Sequence, residues 1–149
     1  MALLASTARL IWEMPQSALG AAALALSRVS GDALEISRDE GRVFVRSRSV
    51  GVSLGHFVFY TEEEVRWFRR DPLMKRHEHG HTFQSRRLGP LYLPLVGVPS
   101  VMRLLYAIGY RELTGKRWRR YYDGYPERQA DRLGGITAEE RAAQLASEP

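Results

Sequence analysis

The chain contains no cysteine. Disulfides and thiolate metal ligands are therefore excluded, and a tightly held transition metal must take its ligands from His, Asp and Glu. Lysine is scarce too: the 22 basic residues are 20 Arg and 2 Lys. Long apolar runs are missing. A helix that spans a bilayer needs about 20 apolar residues. The uncharged run Met14–Ser27 has 14, with Pro15 and Gly20 inside it, and Leu88–Met102 has 15, with Pro90, Pro94 and Pro99. Both lengths suit a membrane interface or a buried core rather than a span. Arg9 followed by an Ala/Leu-rich stretch has some features of a secretion signal, but Trp12, Glu13 and Pro15 fit one poorly. The expectation is an N-terminal helix over residues 1–30 that belongs to the mature protein, cytoplasmic or resting on a membrane surface.

What is present suits one globular domain over residues 1–149, with 44% hydrophobic and 26% charged residues and a net charge of +5. The densest basic run is Lys116-Arg117-Trp118-Arg119-Arg120-Tyr121-Tyr122. Interleaved aromatics and cations fit a phosphate-and-stacking surface. No nucleic-acid module accompanies them, so the run reads as a solvated segment with its aromatics turned inward, and no nucleic-acid partner is expected.

The pattern of elements predicts an α+β chain. Residues 4–28 read as a helix bent near Pro15. Leu34–Arg38 and Arg42–Arg46 flank Asp39-Glu40-Gly41 and predict a hairpin, and Val52–Tyr60 predicts a third strand. Thr61-Glu62-Glu63-Glu64 is a capping box for a short helix reaching about Arg70. Asp71-Pro72 opens the next helix, which Gly89-Pro90 stops near Leu88. An apolar loop is expected from Leu91 to Val98, then helices over Ser100–Leu113 and Pro126–Leu133. The latter ends at Gly134-Gly135, and Thr137-Ala138-Glu139-Glu140 caps a tail helix in 137–149.

Three of the four histidines fall in His77-Glu78-His79-Gly80-His81. This is H-E-x-x-H. On a helix, His77 and His81 project from one face and can share a cation, while Glu78 lies one step round, within reach of a water on that cation. Zinc lowers the pKa of such a water to roughly 7. A carboxylate beside it can take the proton and later deliver it to a leaving amine. His79 faces elsewhere, and Gly80 leaves room for another element to pack closely. A third ligand is required. The H-E-x-x-H-x-x-G-x-x-H solution is excluded, because Gln84 and Arg87 stand where the Gly and third His belong. A downstream E-x-x-x-D is present as Glu127-Arg128-Gln129-Ala130-Asp131. Glu127 completes the ligand set in this reading, and Asp131 accepts a hydrogen bond from a ligand histidine and fixes its ring.

On His77-Glu78-His79-Gly80-His81 and Glu127-x-x-Ala130-Asp131 the chain resembles the gluzincin type of zinc metallopeptidase. It is also similar to small bacterial proteins that pair His-Glu-x-Gly-His with a Gly-Pro-Leu-Tyr-Leu run, here Gly89–Leu93, over roughly Val50 to Ile136. The resemblance implies a minimal gluzincin-like fold: an N-terminal helix, a sheet of about three strands, an active-site helix and a glutamate-ligand helix. It implies Zn2+ held by His77, His81 and Glu127, with Glu78 as general base and acid acting on a peptide or protein substrate. It also implies an edge strand, near Val52–Tyr60, that aligns an extended peptide. Tyr121, Tyr122, Tyr125 and His56 are the polar residues available as oxyanion donor, none of them singled out. The alternative is a non-catalytic zinc-stabilised protein that binds a partner or a membrane surface.

Overall fold

The computed structural model describes residues 11–49, 51–65 and 70–147. The fold is α+β: one helix, a small mixed sheet, then several helices. The first helix, α1, runs Met14–Val29 with Pro15 in its first turn, where a missing N–H costs nothing. The part of the expected helix before Ile11 lies outside the described residues.

Strands β1 (Ala33–Asp39) and β2 (Arg42–Ser47) form the expected antiparallel hairpin. Glu40 and Gly41 turn it with φ of 47° and 73°. Two successive left-handed residues match the twist of the strands they join. The third expected strand is instead two: β3 (Val52–Leu54) and β4 (Phe57–Tyr60), antiparallel, folded at Gly55 with φ of 60°. The alternation of Val52–Tyr60 continues through a turn that a glycine at positive φ makes possible. β4 then pairs parallel with β2, so the order is β1-β2-β4-β3. This places Phe57–Tyr60 inside the sheet, where its unbroken apolar run is covered on both faces.

The second helix, α2 (Met74–Leu88), carries the histidines. It starts later than Asp71-Pro72 suggests. The Asp71 carboxylate accepts from Leu73 N–H at 2.8 Å and so caps a turn ahead of the helix. α2 packs on the sheet through Met74, against the core of Phe44, Val58 and Tyr60. The helix expected from Thr61 to about Arg70 does not form at its described positions: Glu62–Val65 and Arg70 are not helical, and 66–69 lie outside the described residues. The Thr61 hydroxyl accepts from Glu63 N–H at 3.1 Å.

The stretch Leu91–Val98 is not a loop. A tight turn at Gly89–Leu91 leads into a π-helical turn, Leu93–Gly97, continuous with α3 (Val98–Thr114). Proline removes an N–H and crowds the carbonyl four residues back. Widening the turn so that Val98 N–H reaches Leu93 O accommodates Pro94 and Pro99 without ending the helix. In the basic run, Trp118 packs edge-on against Tyr106 with centroids 4.6 Å apart, and Tyr122 is buried. Helix α4 (Glu127–Leu133) follows, and α5 (Ala138–Ala146) carries the complete Thr137/Glu140 capping box.

Candidate metal centre

α2 and α4 approach closely because both lack side chains where they meet. A Cβ built on Gly80 would overlap the carbonyl oxygen of Ala130, and one on Gly134 would overlap that of Arg76. This contact sets Glu127 and Asp131 against the histidine face of α2.

His77, His81 and Glu127 offer three ligand atoms that lie within 4.8 Å of one another, all buried. Glu127 Oε2 is 2.9 Å from His77 Nε2 and 3.3 Å from His81 Nε2. Donors on a tetrahedral zinc with bonds near 2.0–2.1 Å stand roughly 3.3 Å apart. The two rings present the same nitrogen, Nε2, because the other is engaged. His77 Nδ1–H donates to Asp131 Oδ1 at 2.7 Å. His81 Nδ1 is 2.6 Å from Gln84 Oε1. The Gln84 amide is oriented by its Nε2, which donates to the Pro126 carbonyl at 3.1 Å. A carbonyl can only accept, so Oε1 faces His81 and Nδ1 is the protonated nitrogen.

The electrostatics call for positive charge at this point. Burial pushes the His77 pKa down, but hydrogen bonds to Asp131 and Glu127 outweigh it and raise the value to about 10. Burial pushes Glu127 up, and the two histidines outweigh that and hold it below the ordinary carboxylate range. Among the described residues, Glu127 Oε1 is buried without a hydrogen-bond partner. A buried carboxylate oxygen with no donor, beside two oriented imidazoles, fits a divalent cation.

Glu78 is also buried, at 7% exposure, and stands outside that trio. Burial raises its pKa, opposed by His81 and His77. The backbone just before β3 lies over it: a Cβ on Gly51 would come 2.7 Å from Glu78 Oε1. β3 is an edge of the sheet, so an edge strand does pass beside Glu78. It is short, and the Tyr92 hydroxyl already donates to Ser53 O at 2.9 Å.

The remaining residues singled out in the sequence sit apart from the trio or are engaged. His79 packs against Phe44 and Phe83. His56 bonds Ser17 at the α1 junction. Tyr125 is 52% exposed, and the Tyr122 hydroxyl donates to Asp71 while its ring packs edge-on against His77 with centroids 5.2 Å apart. Tyr121 lies within electrostatic reach of the site: burial, then the Glu127 and Glu78 carboxylates, hold its pKa well above the usual tyrosine value, and its side chain is hydrogen-bonded to Ser100.

Sequence reasoning missed the frame behind the ligands. Arg141, on the tail helix, donates from Nη2 to Asp131 Oδ1 at 2.7 Å and from Nε to Asp131 Oδ2 at 2.8 Å, a fork that pins the carboxylate holding His77. Its Nη1 donates to Asp71 Oδ2 at 2.8 Å. Gln84 was legible in principle, since it follows His81 by three positions on one helix face. Nothing in the sequence marked Arg141.

Gln84→Met keeps the volume and removes the acceptor for His81 Nδ1–H. Zinc affinity should fall roughly 10- to 100-fold while the protein stays folded. Competition titration against a chelator, with circular dichroism on the same samples, measures both.

No family model, curated protein or solved structure matches this chain. The functional reading therefore rests on the site alone.

Proposed function

We propose that this chain is a zinc-dependent peptidase of the gluzincin type. His77, His81 and Glu127 hold the ion, and Glu78 handles the proton. The observation that carries the reading is Glu78 itself. It is a buried carboxylate beside the ligand trio but not one of its members, with a pKa raised by burial. A general base works best when its pKa lies near the working pH, and burial moves a carboxyl in that direction. Zinc, when bound, polarises a carbonyl and brings the pKa of its water to roughly 7. Glu78 takes a proton from the attacking water and returns it to the leaving amine nitrogen. Asp131, Arg141 and Gln84 hold the two imidazoles in one tautomer. An extended peptide lying along β3 would pass beside Glu78, over a short stretch because Tyr92 occupies the Ser53 carbonyl.

A second reading has its own observation. All three ligand residues are at most 4% exposed, and they join α2 to α4. Such a site would serve equally as a zinc clamp between helices, with folding dependent on metal and no hydrolysis.

The test is mass-spectrometric detection of cleavage in a diverse peptide mixture by wild type and Glu78→Gln, both checked for zinc. The expected result is cleavage by wild type and a loss of at least about 100-fold in Glu78→Gln at equal zinc content. Equal cleavage by both proteins removes Glu78 from the chemistry. No cleavage by fully loaded wild type moves the assignment to the clamp.

A further inference from the structure

Two helices of this protein are inside out. In α1 the buried residues are Gln16 and Gly20, and Glu13, just ahead of the helix, is fully buried. Gln16 Nε2 donates to Ser85 Oγ and to Gly89 O, both at 3.0 Å, and Glu13 pairs with the buried Arg42 at 3.1 Å. The outward residues include Met14, Leu19, Leu26 and Val29, and Ile11 ahead of the helix is exposed as well. The helical stretch Leu93–Thr114 repeats the pattern more strongly. Leu95, Val98, Met102 and Leu105 follow one another at three- and four-residue spacing, Leu91 in the turn before them continues the row, and every one is exposed. Arg103, in the middle, is turned inward, where its Nε and Nη2 donate to the carbonyls of Tyr121 and Arg120. Among the described residues, 17 polar or charged side chains are buried against 11 hydrophobic ones, while 17 large hydrophobics are exposed. Water alone does not select that distribution over four helical turns.

The surroundings say what covers this face. Among the described residues, Leu93–Thr114, with 22 residues, is long and apolar enough by length and composition to cross a membrane, which the proline-interrupted run in the sequence did not suggest; its most apolar window has a mean hydropathy of 1.3 and is 11% buried. Tyr92, Val96 and Ala107 are buried against the protein, so one flank stays docked and the other is free. Its C-terminal end runs into Lys116, Arg119 and Arg120, all exposed, with Tyr106 and Trp118 packed together beside them. An apolar helix face that ends in aromatics and cations matches the layering of a bilayer surface from acyl chains through headgroups to anionic phosphates. Trp12 packs on Gly89, so the apolar side of α1 meets this face where the helical stretch begins.

We propose that the protein docks on an anionic phospholipid bilayer, with the outer side of Leu93–Thr114 immersed and Lys116, Arg119 and Arg120 on the headgroup phosphates. This stands independently of the metal chemistry.

Vesicle flotation of the full chain tests it, using phosphatidylcholine alone and phosphatidylcholine mixed with phosphatidylglycerol. Wild type should float with the mixed vesicles and bind the neutral ones at least tenfold less. Leu95→Glu/Met102→Glu replaces two exposed side chains, and its partition coefficient on mixed vesicles should fall at least tenfold with unchanged circular dichroism. Lys116→Ser/Arg119→Ser/Arg120→Ser should fall by at least tenfold too, with a weaker dependence on salt. Ile36→Glu, on β1 and away from this face, should float like wild type. Wild type that remains unbound to both vesicle types overturns the proposal. So does a double variant that floats as well as wild type, or sedimentation showing that a second copy of the chain buries this face.

Discussion

Gly80→Ala should destabilise the protein by about 3 kcal/mol, the upper end for overpacking, and lower zinc affinity at least about tenfold. One methyl group has this effect because of what it meets. The Cβ would overlap the backbone carbonyl of Ala130, which cannot rotate away as a side chain would. The two helices must separate, and Glu127 and Asp131 move with α4, away from both histidines. Gly109→Ala is the control. It lies inside α3, and a Cβ there meets nothing within 4 Å. Removing a helix-interior glycine in open space should leave stability equal or raise it by about 0.5–1 kcal/mol. Urea unfolding of both variants and a zinc competition titration provide the comparison. A Gly80→Ala protein as stable and as zinc-competent as wild type would mean that α2 and α4 do not meet as described.

Arg141→Met should cost about 3–5 kcal/mol, although the residue lies on the tail helix and hydrogen-bonds none of the three proposed metal ligands. Arg141 is the shared cation of two buried carboxylates, Asp131 and Asp71, with N–O distances of 2.7 and 2.8 Å. Removing it leaves both negative charges buried without it. His77 loses its fixed partner as Asp131 is released. Adding Asp71→Asn should restore part of the loss, because one of the two carboxylates is then neutral. A non-zero coupling in this double-mutant cycle, measured by chemical unfolding, identifies the shared network. Additive losses would show that the two contacts act separately.

The ligand pattern was legible because helical periodicity translates spacing into position. His77 and His81 share a face of α2, and Glu127 and Asp131 share one of α4, so two local spacings specified the group that the fold brings together. Gly80, Ala130 and Gly134 could be read as a close-packing seam for the same reason. The strand count could not. Whether Gly55 continues a strand or turns it depends on φ, and the alternation of Val52–Tyr60 is the same in either case. Pro94, with Pro90 and Pro99 flanking Leu91–Val98, argues for a loop because proline opposes a regular α-helix, and a π turn is the exception that admits Pro94 and Pro99. Arg141 was hidden for a different reason. Its partners, Asp131 and Asp71, are 10 and 70 residues away, and only tertiary packing of the tail helix brings the three together. The inverted helices were visible as apolar runs, but which side of a run faces water depends on what packs against it.

The proposed chemistry requires that His77, His81 and Glu127 form one metal site. Native mass spectrometry of wild type and Glu127→Ala, each equilibrated with zinc and freed of excess, tests it most directly. One zinc per chain is expected in wild type, with a loss of at least about 100-fold in affinity for Glu127→Ala, since two imidazoles alone make a weak site. Wild type that retains no zinc, or Glu127→Ala that retains it as tightly as wild type, would mean that these three residues are not a metal site.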